Sequence, residues 1–315
     1  MEVKSDQLMN YNSLPEYLKD NEFILDYYRP EWPLKKTILS IFSIHNETLN
    51  VWTHLIGFFI FLFLTIATAV MIPREDHETI YTLIRIEELS SSNNNTIINT
   101  SSLMMSMISP MLTKPIITRW PFFAFLFGAM LCLLTSSLCH LLISHSEKMA
   151  YIMLRLDYTG IASLIVTSFY PPVFYCFICD PFFLNLYMSF ITIFGVATVI
   201  VSLLPVFQTA QFRNVRAALF FSMGVSGVVP IMHKLIVFGD RPEAVLSVWY
   251  ELLMGMFYGL GVIVYAARVP ERWIPGRFDL VGHSHQLFHL LVLAGAYTHY
   301  LAGLVYLRWR DVHGC

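Results

Sequence analysis

Seven stretches of this chain are long and apolar enough to cross a lipid bilayer, and that limits the fold more than any other feature. A membrane helix needs about 20 mostly apolar residues. Such stretches lie near 51–72, 121–143, 158–178, 182–203, 217–237, 248–267 and 286–307. Polar residues or proline flank them, as in Ile72-Pro73-Arg74 and Val269-Pro270-Glu271-Arg272. The runs are continuous rather than alternating, which excludes a β-barrel. They fill most of the 315 residues and leave 13% charged residues and a mean hydropathy of +0.59, where a soluble domain carries roughly a quarter charged residues.

The expected fold is therefore all-α with seven transmembrane helices. Residues 1–32 form a polar lead, 49–308 the seven-helix domain and 309–315 a short outer tail. Between lead and domain, Leu34, Ile38, Ile41 and Phe42 recur at helical spacing with Lys35, Lys36 and Ser40 between them. That pattern suits an interfacial amphipathic helix over 33–48. No apolar signal segment opens the chain, so the first span is expected to target the protein and stay in place.

Seven spans put the termini on opposite sides. The N-terminal side then holds twelve Lys and Arg residues and the other side eight. The positive-inside rule places the N-terminus in the cytosol and the C-terminus outside. The Ser/Asn/Thr-rich loop after the first span carries sequons at Asn94 and Asn99, which fits an outer position. A net charge of −2 argues against a nucleic-acid partner. Five cysteines are too few and scattered for a disulfide framework, and the lone Cys176/Cys179 pair is a weak metal signal without a second pair.

Histidine inside a membrane span is costly and usually marks function. His140 ends the second span in TSSLCH (135–140), while His285 and His289 open the seventh in SHQLFH (284–289). A spacing of four sets His285 and His289 on one helical face, one turn apart, as in helical H-x-x-x-H metal sites. The second span ends on the side where the seventh begins, so all three share one depth. Three imidazoles with an open fourth position suit a catalytic zinc. Asp157, at the start of the third span on the same side, could ligate the ion directly or hold a water beside it; taken alone it could be a helix N-cap. Ser136 lies one turn before His140, on the same face, and could bond that water or the aspartate, or simply pack between helices. The remaining histidines have no partner at a spacing that argues for a site.

The motifs SIHNETLNVWTHL (43–55), HSEK (145–148), LDYTG (156–160), SGVVP (226–230), YAARVPER (265–272) and SHQLFH (284–289) occur in order. With them the chain resembles the progestin and adipoQ receptor family, which includes the adiponectin receptors. Its short lead and Asn/Ser-rich first loop look most like the plant heptahelical branch. The resemblance implies zinc on His140, His285 and His289, with Asp157 and Ser136 beside it. It also implies a cytosolic N-terminus and an internal cavity for a membrane lipid or fatty acid, with Arg216 and Tyr258 at lipid head-group positions. It leaves two functions open. One is a receptor for an outer or lipid ligand with a cytosolic signalling partner. The other is a zinc-dependent amide hydrolase acting on a lipid such as ceramide, with Asp157 as general base and Ser136 positioning water or steadying the oxyanion. The two are compatible, since a slow hydrolase can signal through its product. A separate alternative is a receptor or scaffold whose zinc is purely structural and pins the second helix to the seventh. Any of these would sit in the plasma membrane or an endomembrane as a multi-pass protein.

Overall fold

A computed structural model of the chain describes residues 7–71, 117–208 and 210–314. The sequons at Asn94 and Asn99 lie outside the described residues. Nine α-helices among the described residues run in the order α1 (Leu34–Leu39), α2 (Thr48–Met71), α3 (Trp120–Leu142), α4 (Glu147–Phe177), α5 (Pro181–Leu203), α6 (Arg213–Val225), α7 (Val228–Phe238), α8 (Pro242–Ala267) and α9 (Ser284–His313). Among the described residues there is no β-strand, only one isolated bridge between Met9 and Tyr28. Seven helical segments among the described residues are long and apolar enough to span a membrane, with α6 and α7 together supplying the fifth over Asn214–Phe238.

Local chemistry sets the helix ends. Pro121, Pro181 and Pro242 each occupy the first turn, where their missing N–H costs nothing and their fixed φ favours the helix. Ser146 caps α4 by accepting from the Met149 N–H at 3.3 Å, and Asp180 caps α5 by accepting from Phe182 N and Phe183 N. The α4 helix starts eleven residues before its apolar stretch because Glu147, Lys148 and Arg155 ride on its exposed end. Asp157 consequently lies well inside the helix, not at its start.

The fifth span departs from the continuous helix expected over 217–237. It breaks at Ser226–Gly227, where Pro230 has no N–H to give to the Ser226 carbonyl. The helix expected over 33–48 is also shorter than that range: α1 gives way to a 3₁₀ turn at Ser40–Phe42. Thr37 and Ser40 are buried against the protein while Leu34, Ile38, Leu39 and Phe42 point outward.

Helices α3, α4 and α9 form the centre. In each, 56% of the central span is buried by the protein itself, against 22% in the others. Phe122, Phe125, Leu126, Ala129, Leu133, Leu164, Tyr175, Ala296 and Tyr306 pack there. At Gly160 the backbones of α3 and α4 approach so closely that a Cβ would lie 3.0 Å from the Cys132 Cα; this contact sets Ser136 of α3 beside Asp157 of α4. The outer ring presents its large apolar side chains outward, among them Phe63, Val70, Phe182, Ile193, Ile236 and Trp249, as lipid-facing helices do.

The described part of the lead, residues 7–32, is folded. Leu14, Ile24 and Tyr28 make a small core of their own, and the lead covers the end of the bundle where α3 stops and α9 starts. The buried Asp279 carboxylate accepts from Leu25 N and Asp26 N, both at 3.0 Å. Asn21 Nδ2 donates to Glu271 at 3.0 Å, and Arg268 donates to the Asp20 carbonyl and pairs with Glu22.

Candidate metal centre and its cavity

His140, His285 and His289 converge. Their ligand nitrogens all lie within 4.8 Å of one another, and the ring centroids form a near-regular triangle with sides of 4.8, 4.9 and 4.8 Å. One ion, at metal–nitrogen bonds of about 2.1 Å, can draw such a set together. His140 and His289 are buried and His285 is half-buried.

The surroundings fix which nitrogen His140 and His289 present. His140 Nδ1 lies 2.7 Å from Glu47 Oε2. With the proton on Nδ1 the imidazole donates to the carboxylate, which aims the Nε2 lone pair into the cluster. That Nε2 is buried and has no hydrogen-bond partner in the protein. An orphaned acceptor of this kind fits a metal ligand, because leaving it otherwise unmade is costly. His289 Nδ1 lies 3.2 Å from the Asn50 carbonyl and 3.4 Å from Thr53 Oγ1, which leaves its Nε2 for an ion in the same way. Asn50 Nδ2 in turn donates to Glu47 Oε2 at 2.6 Å. Burial alone would raise the Glu47 carboxyl, but the facing His140 imidazole and the Asn50 amide outweigh it and hold the group below the usual carboxylate range.

Two helix ends carry the triangle. At the start of α9 the buried Glu271 accepts from Ser284 N at 2.7 Å and from the Ser284 hydroxyl, so a carboxylate stabilises the positive end of the helix dipole. Gln286 ties the same turn to Gly282 N at 2.6 Å and the Leu280 carbonyl at 2.9 Å. At the end of α3, Arg29 donates to the carbonyls of His140 at 2.5 Å and Leu141 at 2.8 Å and to Ser40 Oγ at 2.8 Å, satisfying acceptors that a helix C-terminus leaves open. Burial lowers the Arg29 guanidinium to about 10, so it remains charged at neutral pH.

The histidines open onto one internal cavity of about 930 Å³. Asp157 and Ser136 line it at the level of the cluster, and Ser136 is within interaction range of the Asp157 carboxylate. Arg216 and Tyr258 line the same cavity. Arg216 sits over the Tyr158 ring at 5.1 Å, and the buried Tyr258 hydroxyl has no protein partner. Leu164, Ile165 and Val292 supply apolar wall between them. On the α6 and α8 side the wall includes Gly224, Gly255 and Gly259, where an added side chain would meet nothing within 4 Å.

All the residues singled out in the sequence thus border one space. Three others were not anticipated: Glu47, Asn50 and His54, the last stacked on His289 with centroids 3.6 Å apart and planes 7° off parallel. Glu47, Asn50 and His54 follow a helical i, i+3, i+7 spacing at the start of α2, the signal that would have placed them on one face. The Cys176/Cys179 pair does not act as a unit. Cys176 is a buried free thiol and Cys179 is disulfide-bonded.

Glu47→Gln should keep the fold but lower metal affinity 10–100-fold, the usual effect of losing a carboxylate behind a ligating histidine. Competition with a chromogenic chelator reads the change, and unaltered affinity would remove Glu47 from the site.

The haemolysin-III-related family matches residues 42–300. The chain is 56% identical to heptahelical transmembrane protein 4 of Arabidopsis thaliana over 98% of this chain and 90% of that protein. It is 54% identical to heptahelical transmembrane protein ADIPOR3 of Oryza sativa subsp. japonica, over 98% and 92%. An adiponectin receptor protein of Drosophila melanogaster is 36% identical across 93% of this chain and 58% of its own length. With seven apolar spans among the described residues, a histidine triangle where the second meets the seventh, and plant relatives matched over nearly their whole length, the chain is a multi-pass membrane protein belonging to the haemolysin-III-related, adiponectin-receptor-like family of heptahelical proteins.

Proposed function

We propose that this protein is a zinc-binding heptahelical receptor of lipid signalling that acts through slow hydrolysis of a lipid amide of the ceramide type. The observation that carries the reading is the position of the three histidines. They border a large, mainly apolar-walled cavity together with an aspartate, instead of being sealed inside packed protein. A structural site would normally be closed by a fourth protein ligand.

The histidine nitrogens suit zinc, which when bound supplies Lewis acidity for an amide carbonyl and acidifies a nearby water. The protein's own groups would do the rest. Glu47 and the Asn50 carbonyl hold the imidazoles in one tautomer. Asp157 takes a proton from the attacking water and returns it to the departing amine. Ser136 orients the Asp157 carboxylate. The apolar walls keep the acyl chain in place and exclude bulk water, while Arg216 and Tyr258 meet the polar part of the lipid. A ligand on the outer face, or the lipid itself, would regulate the protein only in so far as it binds two helix arrangements with different affinity, and a cytosolic partner would read the change.

The Lys and Arg distribution supports a cytosolic N-terminus. Cys179, at the opposite end of α4 from the lead, is disulfide-bonded, which fits an outer or lumenal face. On that basis the metal centre lies at the cytosolic end of the bundle, in the plasma membrane or an endomembrane.

The test measures zinc content and ceramide hydrolysis on one purified preparation, beside Asp157→Ala. We expect about one zinc per chain and fatty-acid release in the parent protein. In the variant the metal stays and release falls at least about 100-fold, the lower end of what a positioned base contributes. Zinc without release from any lipid amide would replace this reading with a receptor whose zinc only pins α3 to α9.

A further inference from the structure

The face of α9 that carries His285 and His289 continues through Val292 and Ala296 to His299, ten residues beyond His289 or about 15 Å along the helix. His299 lines the same cavity and is 1% exposed. Neither of its ring nitrogens makes a hydrogen bond. Pro172 has no N–H to offer the Ser168 carbonyl, yet neither His299 nitrogen reaches hydrogen-bonding geometry with it. The Phe125 ring closes one side edge-on at 4.5 Å.

The charged groups beyond it are already satisfied. Lys234 Nζ donates to Glu251 Oε2 at 2.6 Å, Ser247 Oγ at 3.0 Å and the Tyr306 hydroxyl at 2.5 Å. Tyr306 donates onward to Glu251. The cluster is buried and its charges cancel, so it asks for no further anion. What is left at this end of the cavity is an imidazole whose two nitrogens can offer one donor and one acceptor. A hydroxyl matches that pair; a second carboxylate would enter without a free cation to meet it.

We propose that His299 forms a polar subsite for a hydroxyl on the far part of an elongated lipid whose other polar end lies at His140, His285 and His289. The proposal rests on the reading of the cavity as a lipid site. The intervening wall, with Val292, Leu164 and Ile165, takes the apolar body.

The experiment measures binding of two radiolabelled probes to the purified full chain: a saturated long-chain fatty acid and its ω-hydroxy derivative, over a series of chain lengths. The parent protein is expected to bind the ω-hydroxy acid about fivefold more tightly at one optimal length, as one added hydrogen bond allows. His299→Leu should abolish that preference without weakening the plain acid, and His299→Gln should restore part of it. Equal affinity for the two acids in the parent protein overturns the subsite while leaving the lipid cavity intact, and this comparison needs no variant to fold. A preference that survives His299→Leu, or tighter binding of the matching dicarboxylic acid, also overturns it. If neither acid binds the parent protein, the lipid-cavity reading fails and the subsite fails with it.

Discussion

His140→Ala or His289→Ala is expected to take the protein from about one zinc per chain to background, because each leaves only two imidazoles for an ion that structural and catalytic sites alike hold with at least three protein ligands. Elemental analysis of the purified variants reads this directly. His54→Phe is the informative control. His54 stacks on His289 but stands outside the triangle, so phenylalanine keeps the stacking surface and should keep the metal. Loss of zinc in His54→Phe with retention in His140→Ala would reverse the ligand assignment. His140→Ala also strands Glu47, whose carboxylate then faces the cavity with, among the described side chains, the Asn50 amide as its partner. The variant should therefore unfold at lower temperature as well as bind less metal.

The largest stability effect should come from the other end of the cavity. Lys234→Met removes the cation from a pair that is 1% and 3% exposed at Lys234 and Glu251. Breaking one side of such a pair costs about 3–5 kcal/mol, because the partner charge stays buried and uncompensated. A sharp fall in thermal midpoint in detergent is the expected result. The double change Lys234→Met with Glu251→Leu should recover most of it, since apolar replacements of a buried pair are often neutral. If the double variant is as unstable as the single one, the penalty lies in lost packing and not in the stranded carboxylate.

Much of this was legible in the sequence because two periodicities dominate the chain. Apolar runs of membrane length give the spans, and the four-residue step from His285 to His289 places both rings on one face. Depth matching then brings in His140 without any knowledge of packing. Residues whose role depends on which helices touch were not legible. Glu47 and Asn50 serve the site only because α2 lies against α3 and α9, and nothing in their own spacing names His140 as the partner. Asp157 was assigned to the site for its side of the membrane, yet read as lying at a helix start. Hydropathy cannot see that α4 begins eleven residues earlier on a charged turn. The break in the fifth span was written in Gly227 and Pro230, but proline is tolerated in membrane helices often enough that its presence alone does not announce a break.

Arg29 has a consequence for how the protein can be handled and controlled. One guanidinium, thirty residues from the start of the chain, grips the carbonyl of a metal-ligating histidine, while Glu271 and Asp279 tie the same lead to the loop before the other two ligands. Residues 7–32 therefore act as a drawstring across the mouth of the site. Removing them would leave the buried Glu271 and Asp279 carboxylates short of donors and strip the α3 end of its Arg29 cap. Tension applied to this segment, by a tether or a bound neighbour, would pull on the backbone of a metal-ligating histidine through Arg29 as well as on the end of α8 through Arg268.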